Sequence, residues 1–351
     1  MVNEEVHIVA LGARTPVGLT AESSAAAVRG RISRIREHPF MVDIRGELVR
    51  VARDELLDPL LPTSGRQFEL ARSALEQVVL KIQAPKGKLA GQFPLLLGMT
   101  QDRYAWADSQ AKQLIQQLAG EPSFGLDGWN IQPIREGHAS ALEAMRHAYH
   151  GITHGQYPLC VVGGVDSLVD AHTLVWLDGQ GRLAADTVRS GFPPGEGASF
   201  IALASNSARV YLGLPSLAIV RGAASNIELK LRNAAEVCLG EGLTGAIANA
   251  VAQLTPGRIV DQTFCDINGE RYRTEEWGFA LLRNQEHFRT TSYTTAVAEW
   301  GDVGAASGAL LTTLAVQGWA RGYAQGTLSL IWASSDGGLR SAVVLERGQS
   351  S

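Results

Sequence analysis

Cysteine is scarce in this chain of 351 residues, which has only Cys160, Cys238 and Cys265. An odd number of cysteines at unrelated spacings excludes a complete disulfide framework and favours a reducing compartment such as the cytoplasm. We therefore expect free thiols, and we interpret Cys160 and Cys238 as core residues, since a free cysteine usually behaves as a small buried apolar side chain.

Long apolar runs and strong charge are also lacking. No window is apolar over the roughly 20 residues that a membrane-spanning helix needs. The acidic start MVNEEVHIVALG has neither the basic region nor the cleavage site of a signal peptide. The net charge of −4 gives no indication of a nucleic-acid-binding surface. These absences predict a cytoplasmic protein without a membrane span or a nucleic-acid partner.

What the chain does contain is an alternation of strand and helix patterns. In the first half these are a strand within residues 6–18, a helix over 66–82, a buried strand over 93–99, a helix from about His138 to His154, and strands over 157–164 and 199–205. The short apolar run at 93–99 is typical of a strand covered on both faces.

The second half repeats this order. Its patterns predict a strand over 217–225, a helix over 238–254, a strand and turn over 258–269, a helix over 301–322, and strands over 328–338 and 340–348. Such an internal repeat predicts two related halves, 1–212 and 213–351, divided where LGLP (212–215) interrupts the pattern. Strands that alternate with helices favour parallel sheets covered by helices.

Short glycine-rich motifs occur in a fixed order along both halves. The first half has ARTPVG, then a helix that leads into CVVGGVDS (160–167), then GEGAS (195–199). The second half has GAAS (304–307) and DGG (336–338) before the last strand. In this order and spacing the chain resembles the β-ketoacyl-acyl-carrier-protein synthases of the thiolase superfamily. The resemblance implies a thiolase-like α/β fold, in which two pseudo-repeated halves form one compact unit layered α-β-α-β-α.

The residues that would perform condensation differ from the family pattern. A condensing enzyme needs a thiolate that accepts an acyl group and two side chains, usually histidines, that stabilise the developing oxyanion. The position of the family's cysteine falls on His138, and the positions of its two histidines fall on Asn268 and Gly301. The resemblance therefore implies that the nucleophile and both histidines are replaced together.

The resemblance also indicates which residues surround this site. We expect the pocket to be lined by His138, Phe192, Asn268, Asp302 and Asp336. Asp166 in GGVDS and Glu196 in GEGAS match carboxylates that tie loops together in the family, so we interpret both as structural.

Three residues offer an alternative nucleophile. At a helix N-terminus His138 would have a lowered pKa and stay neutral, and an acyl-imidazole can then form; the plainer interpretation is that it lines a residual pocket. Cys265 lies on the strand that leads to Asn268, and it is either a reactive thiol or a buried core residue. Ser140 lies in a sequence that resembles a Gly-x-Ser-x-Gly elbow but lacks the last glycine and the Asp…His order.

His147, His150 and His154 have the spacing of one helix face, which raises the question of a metal site. Apolar residues occupy the opposite face, so the pattern is that of an ordinary amphipathic helix and predicts no metal. In a thiolase-like fold this helix belongs to the central layer. These histidines are then expected to form hydrogen bonds between layers or at a subunit contact.

Together these observations predict a non-catalytic ketosynthase-like protein that works by binding, for example as an adaptor or chaperone for a protein client. The alternative is an acyltransferase of the β-ketoacyl synthase type with remodelled residues, acting on thioesters of acyl carrier protein or coenzyme A. The resemblance implies no cofactor.

The segment Trp129–Ile134 matches the strand that pairs across a two-fold axis in the family. We therefore expect a homodimer, or a heterodimer with a ketosynthase-like protein. The opening ALGARTPVGL resembles thiolase-like proteins of bacterial type VI secretion loci.

Overall fold

The structure is a computed structural model that describes residues 4–83, 93–101, 108–121, 129–186 and 188–348. The strands are β1 (Val6–Arg14), β2 (Ile35–Val42), β3 (Leu48–Ala52), β4 (Phe93–Gly98), β5 (Trp129–Ile134), β6 (Leu159–Ser167), β7 (Glu196–Ser205), β8 (Ala218–Ile227), β9 (Gln262–Cys265), β10 (Leu328–Ser334) and β11 (Leu339–Arg347). The helices are α1 (Ala21–Arg29), α2 (Thr63–Ile82), α3 (Asp108–Ala119), α4 (Ser140–Thr153), α5 (Ala171–Gly179), α6 (Asn206–Leu212), α7 (Glu241–Val251), α8 (Arg271–Arg283), α9 (Val297–Trp300) and α10 (Ser307–Ala320).

Nine strands form one mixed sheet in the order β5-β4-β6-β7-β1-β8-β11-β10-β9, while β2 and β3 form a separate hairpin. The pairs β4–β5, β4–β6 and β9–β10 are parallel, and the other pairs are antiparallel. The expectation of parallel sheets is therefore wrong for most pairs. Apolar periodicity indicates how a strand is buried but not the direction of its neighbour.

The sheet and helices stack in five layers. One apolar cluster joins α2 and α3 to one face of β1, β4, β6 and β7. A second cluster joins the other face of these strands to α4 and α10 and, beyond them, to β8, β10 and β11. A third cluster covers the remaining face of the second-half strands with α7 and α8. This arrangement confirms the predicted α-β-α-β-α fold, while the division at residues 212 and 213 stays a prediction.

The central layer explains why α10 has no charged residue on any side. All its residues from Ser307 to Trp319 are buried, because sheet strands cover it on both sides. At Gly308 an added Cβ would lie 2.5 Å from Cγ of Leu142 in α4. Glycine at this position therefore allows the two central helices to approach closely.

Most of the predicted elements are present, including β1, α2, β6, α7 and α10. The hairpin β2–β3 and the helices α1, α3, α5, α6 and α8 were not predicted. In the described part of the chain no helix is both long and apolar enough to cross a bilayer.

Buried ion pairs connect the layers, and Glu196 is at the centre of one of them. Its carboxylate accepts hydrogen bonds from Nε of Arg66 at 2.8 Å, from Oγ of Ser167 at 2.8 Å, and from the backbone N–H of Asp54 at 2.8 Å. Both partners of the Arg66–Glu196 pair are almost fully buried. This geometry agrees with a structural role for Glu196.

We predict that Glu196→Gln lowers the free energy of unfolding by about 3–5 kcal/mol, because it leaves the Arg66 guanidinium buried without its counter-charge. Urea titration would measure the loss. Glu236→Gln is the matched control, since Glu236 pairs with Lys230 at the surface and its replacement should leave stability unchanged. An equal effect of the two substitutions would contradict the assignment.

Candidate functional site

His138 is held in a 3₁₀ turn, Gly137–Ala139, between β5 and α4. Gly137 has a φ of +73°, a conformation that L side chains rarely adopt. Its N–H donates to the backbone oxygen of Met99 at 3.1 Å, and the N–H of Ala139 donates to Oγ of Ser335 at 2.9 Å. The turn is thus fixed from both halves of the chain, and it presents His138 at the first turn of α4.

Gly301 brings no side chain to the site and cannot carry one in this conformation. Its φ is +73°, and an added Cβ would lie 2.8–2.9 Å from the backbone oxygens of Pro193 and Pro194. The adjacent Asp302 is the residue that reaches the site. The family's second histidine position, which the sequence placed on Gly301, therefore has no side chain here, and the local functional group is a carboxylate one residue further on.

Asp302 connects two of the predicted site residues. Its carboxylate lies 2.8 and 3.1 Å from Nε2 of His138, and it accepts a hydrogen bond from Nδ2 of Asn268 at 2.6 Å. The N–H of Gly304 donates to the same carboxylate at 2.9 Å. The structure thus brings together His138, Asn268 and Asp302, which are far apart in the sequence.

The charges of His138 and Asp302 stabilise each other. Burial disfavours the charged form of His138, but the Asp302 carboxylate outweighs it and raises the pKa of the imidazole above its usual value. Burial likewise opposes ionisation of Asp302, yet His138 holds the pKa of that carboxyl well below its usual range. The expectation of a lowered pKa for His138 is therefore wrong, because the adjacent carboxylate outweighs the effect of burial.

A chain of buried polar contacts extends from this group. Asn268 also donates to Glu270 at 3.2 Å, and Glu270 accepts two hydrogen bonds from Arg182, at 2.7 and 2.9 Å. Arg182 reaches Asp336 at 2.7 Å as well. The network therefore joins the segment after α5 to the loops after β9 and β10.

A second buried arginine closes the network behind the site. Arg273 donates to Asp266 at 2.8 Å, and its guanidinium lies 3.5 Å from Glu270 and 3.6 Å from Asp336. The hydroxyl of Tyr272 donates to Asp336 at 3.0 Å. Neither Arg182 nor Arg273 was singled out from the sequence, since an isolated arginine carries no motif. The only available signal was the acidic pair Asp266 and Glu270 around Asn268.

A cavity of about 320 Å³ opens beside His138. Of the residues expected to line it, His138, Phe192 and Asp336 do so, while Asn268 and Asp302 are buried behind His138. Trp176, Leu168 and Leu177 supply much of the apolar wall. The site can therefore receive a largely apolar group next to an imidazole.

The two other proposed nucleophiles do not line this cavity. Ser140 is fully buried, donates its hydroxyl hydrogen to the backbone oxygen of Met99, and accepts the N–H of Glu136, both at 2.9 Å. Cys265 is also fully buried, and burial raises the pKa of its thiol well above the usual value. This geometry favours the interpretation of Cys265 as a core residue.

Of the other two thiols, Cys160 is buried and Cys238 is not. The interpretation of Cys238 as a core residue is wrong: it is half-buried, and burial raises the pKa of its thiol to about 11. Cys238 lies near the carboxylates of Glu228 and Glu276. These carboxylates already have partners, because Glu276 binds Arg340 and Glu228 accepts the N–H of Gly242 at the start of α7.

The histidines of α4 do not converge on a common point. Nε2 of His147 lies 2.9 Å from Glu143 in the same helix, and Nδ1 of His154 lies 2.7 Å from the backbone oxygen of His150. The contact between layers is instead made by Glu143, whose carboxylate accepts a hydrogen bond from Ser225 of β8. His147 and His154 therefore make no interlayer hydrogen bond with the described residues, and a role for them at a subunit contact stays a prediction.

Asp166 ties the end of β6 to the turn that precedes α10. Its carboxylate accepts the N–H of Ala305 at 3.1 Å and a hydrogen bond from Gln67 at 3.3 Å. An added Cβ at Gly304 would lie 2.1 Å from Oδ2 of Asp166, so this loop and turn fit closely. These contacts agree with the structural role expected for Asp166.

The ion pair between His138 and Asp302 gives a defined pH dependence. Because the folded pKa of His138 is raised, the stabilisation is complete below the unfolded value near 6.5 and is lost as pH rises through the folded pKa. Because the folded pKa of Asp302 is lowered, the stabilisation that its carboxylate contributes is present above the unfolded value near 3.8. That stabilisation is lost only in strong acid.

We predict that Asp302→Asn moves the pKa of His138 from above 6.5 to below 6.5, since burial then acts without the carboxylate. The measurement is a titration of the His138 Cε1–H signal by NMR in both proteins. Glu143→Gln is the control, because it removes the carboxylate beside His147 and should leave the His138 signal unchanged. A His138 pKa that is equal in wild type and Asp302→Asn would disprove the coupling.

Comparisons with known proteins add the following. No family model matches the chain, and no curated protein does. Among solved structures, the ishigamide ketosynthase/chain length factor superposes with a TM-score of 0.79 at 16% identity, over 99% of this chain and 100% of that one. A ketosynthase from module 6 of the bacillaene synthase of Bacillus subtilis 168 gives a TM-score of 0.77 at 14% identity, over 98% of this chain and 72% of that one.

A third neighbour is the type II polyketide synthase acyl-carrier protein in complex with its ketosynthase bound to the hexaketide, AntDE:AntF. It superposes with a TM-score of 0.75 at 14% identity, over 98% of this chain and 100% of that chain. None of these neighbours bears on the type VI secretion resemblance, which stays a prediction.

At such low identities the likeness concerns the fold alone, and on that evidence the chain has the thiolase-like fold of the ketosynthases.

Proposed function

We propose that this chain is a non-condensing, ketosynthase-like protein that acts by binding, as the partner of a ketosynthase-like chain. The main support for this proposal is the arrangement of His138, the residue at the expected nucleophile position. There the imidazole of His138 is bound to the Asp302 carboxylate at 2.8 Å, behind a cavity that still has room for a ligand. Cys265, the thiol on the strand that leads to Asn268, is fully buried.

The surroundings of His138 also disfavour the chemistry of condensation. That reaction needs a thiolate, which a neighbouring cation or a helix N-terminus stabilises. Here the nearest charge is the negative charge of Asp302, which would raise the pKa of any thiol at this position. Asn268, at the first histidine position, points its amide toward Asp302 and Glu270 and so is already engaged.

The free edge of the sheet supports a paired assembly. Strand β5 is the last strand of the nine-stranded sheet, and β4 is its one neighbour among the described strands. Asn130 and Gln132 are exposed on it. An exposed edge strand can pair with a second chain through its free backbone groups. A ketosynthase/chain length factor, as one structural neighbour is described, is the kind of pairing that we propose for this chain.

An acyl-transfer activity is the second candidate, and one observation favours it. Nε2 of His138 faces Asp302, while Nδ1 has no hydrogen-bond partner in the described residues, and the ring lines the cavity. Neutral Nδ1 would attack the carbonyl carbon of an acyl thioester, forming a C–N bond while the C–S bond breaks and a thiolate leaves. Asp302 would then balance the charge of the acyl-imidazolium.

Intact-mass spectrometry distinguishes the two candidates. We predict that the wild-type protein, incubated at pH 7 to 8 with acetyl, octanoyl and malonyl thioesters of coenzyme A, gains no stoichiometric acyl adduct. The reason is that Nε2 of His138 is bound to the Asp302 carboxylate, which favours the charged imidazole over the neutral form that could attack a carbonyl carbon. An adduct that is absent from His138→Ala but retained by Cys265→Ala would instead support acyl transfer.

If the wild-type protein gains no acyl adduct, either His138 does not react or the thioester cannot enter the cavity. A designed variant distinguishes these two explanations. His138→Cys combined with Asp302→Asn restores a thiol and removes the carboxylate that would otherwise stay buried beside it. An acyl adduct on this double variant, but not on wild type, would show that donors enter the cavity and that His138 fails to react.

We predict that Asn130→Asp with Gln132→Asp weakens self-association at least about tenfold, because it places like charges opposite each other where two β5 strands would pair. Analytical ultracentrifugation measures the dissociation constant. Thr291→Asp with Ser292→Asp adds the same charge to another exposed loop and should leave association unchanged. A dimer that tolerates the β5 changes would exclude this edge as the interface, and a wild-type monomer would direct the search to a different ketosynthase-like chain.

A further inference from the structure

The cavity beside His138 is the site of the binding function proposed above, and its polar groups indicate which class of ligand it takes. Several of these groups are already engaged within the protein. Asp336 binds the guanidinium of Arg182 at 2.7 Å, and Asp166 accepts the N–H of Ala305 at 3.1 Å. A polar group that is engaged in this way adds little to the binding of a ligand.

His138 differs, because it keeps one ring nitrogen free. Its Nε2 lies 2.8 Å from the Asp302 carboxylate, whereas Nδ1 has no hydrogen-bond partner among the described residues and is not shielded from solvent. The side chain is 12% exposed, and its ring lines the cavity. The adjacent carboxylate favours the charged imidazole, in which both nitrogens carry a hydrogen. A ligand must therefore present a hydrogen-bond acceptor to Nδ1.

The cavity is balanced in charge. Two cations and two anions line its described wall: Arg182, Arg232, Asp166 and Asp336. The charge of His138 is compensated by Asp302 directly behind it. A ligand without net charge suits such surroundings, since a charged one would lose hydration without gaining a free counter-charge. Arg232 is the weaker point of this balance, because it contacts Gln180 at 3.3 Å and makes no ion pair with a described residue.

We propose that this cavity binds a neutral, largely apolar carbonyl compound, such as a ketone, an ester or a lactone, whose oxygen accepts a hydrogen bond from Nδ1 of His138. The assignment rests on the proposed function, because it gives His138 a role in binding and none in acyl transfer. A carbonyl oxygen accepts well, and a charged donor strengthens the bond. The apolar body would pack against Trp176 and Leu231, which are half-buried on the cavity wall.

An NMR titration of the full chain with 2-heptanone at pH 6 tests the proposal, read from the indole N–H signal of Trp176. We expect saturable 1:1 binding. The matched ligand is 2-methyl-1-hexene, in which a CH₂ group replaces the carbonyl oxygen, and it should bind at least about tenfold more weakly. Hexanoate tests the alternative that Arg232 selects an anion. The proposal is overturned if the ketone does not bind, if the alkene binds equally well, or if hexanoate binds more tightly.

The pH dependence separates this hydrogen bond from apolar contact. Affinity for 2-heptanone should be full below the raised pKa of His138 and fall at least about tenfold above it. The neutral ring keeps its hydrogen on Nε2 toward Asp302, so Nδ1 becomes an acceptor. The other charges that act on His138 are Arg273, Asp266 and Asp336, and its own Cε1–H signal reports its ionisation apart from theirs. An affinity that does not follow this signal contradicts the proposal.

A double variant tests the donor directly. His138→Phe with Asp302→Asn removes the imidazole without leaving the carboxylate buried and unpaired. It should bind 2-heptanone at least about tenfold more weakly and bind the alkene no more weakly than wild type does. His147→Phe is the matched control, since His147 is exposed on α4 and does not line the cavity. Equal affinity of the two variants for the ketone would overturn the proposal, and the wild-type pH titration decides if the double variant does not fold.

This experiment and the search for an acyl adduct fail independently. A ketone has no leaving group and so cannot transfer an acyl group to His138. An adduct formed from thioesters would overturn the non-condensing function even if the ketone binds. A protein that forms no adduct and binds no ketone would overturn the ligand assignment alone.

Discussion

The carboxylate of Asp302 is the group on which the centre of this molecule depends. It is almost completely buried, and a buried charge is tolerated only when hydrogen bonds and a counter-charge compensate for lost hydration. The compensation comes from three separate segments: His138 before α4, Asn268 after β9, and the N–H of Gly304 before α10. One charge therefore fixes the relative positions of these three segments beside the cavity.

This dependence makes the residues at positions 138, 268 and 302 a single physical unit. With Asp302 beside it, a cysteine at position 138 would be a poor thiolate, whereas a histidine gains an ion pair. A histidine at position 268 would compete for the same carboxylate, whereas Asn268 donates to it and also to Glu270. The side chains at these positions are thus mutually consistent, and they fit the non-condensing function that we propose.

The sequence predicted those features that depend on local pattern. Apolar runs predicted β1, β6 and α10, and glycine motifs located His138 and Asn268. Glycine motifs are informative because close backbone approach, as at Gly308, tolerates no side chain. The role of Asp302 was not predictable in the same way. It rests on the conformation of Gly301, which turns the next side chain into the site. The direction of the pKa shift of His138 was also not predictable, since it is set by Asp302, a residue 164 positions away.

The balance of charges beside His138 bears on what its cavity can bind. Arg182 is satisfied by Glu270 and Asp336, and His138 is satisfied by Asp302, so these two groups offer little free charge to a ligand. Trp176 and Phe192 line the same cavity, and their contribution is apolar contact and shape.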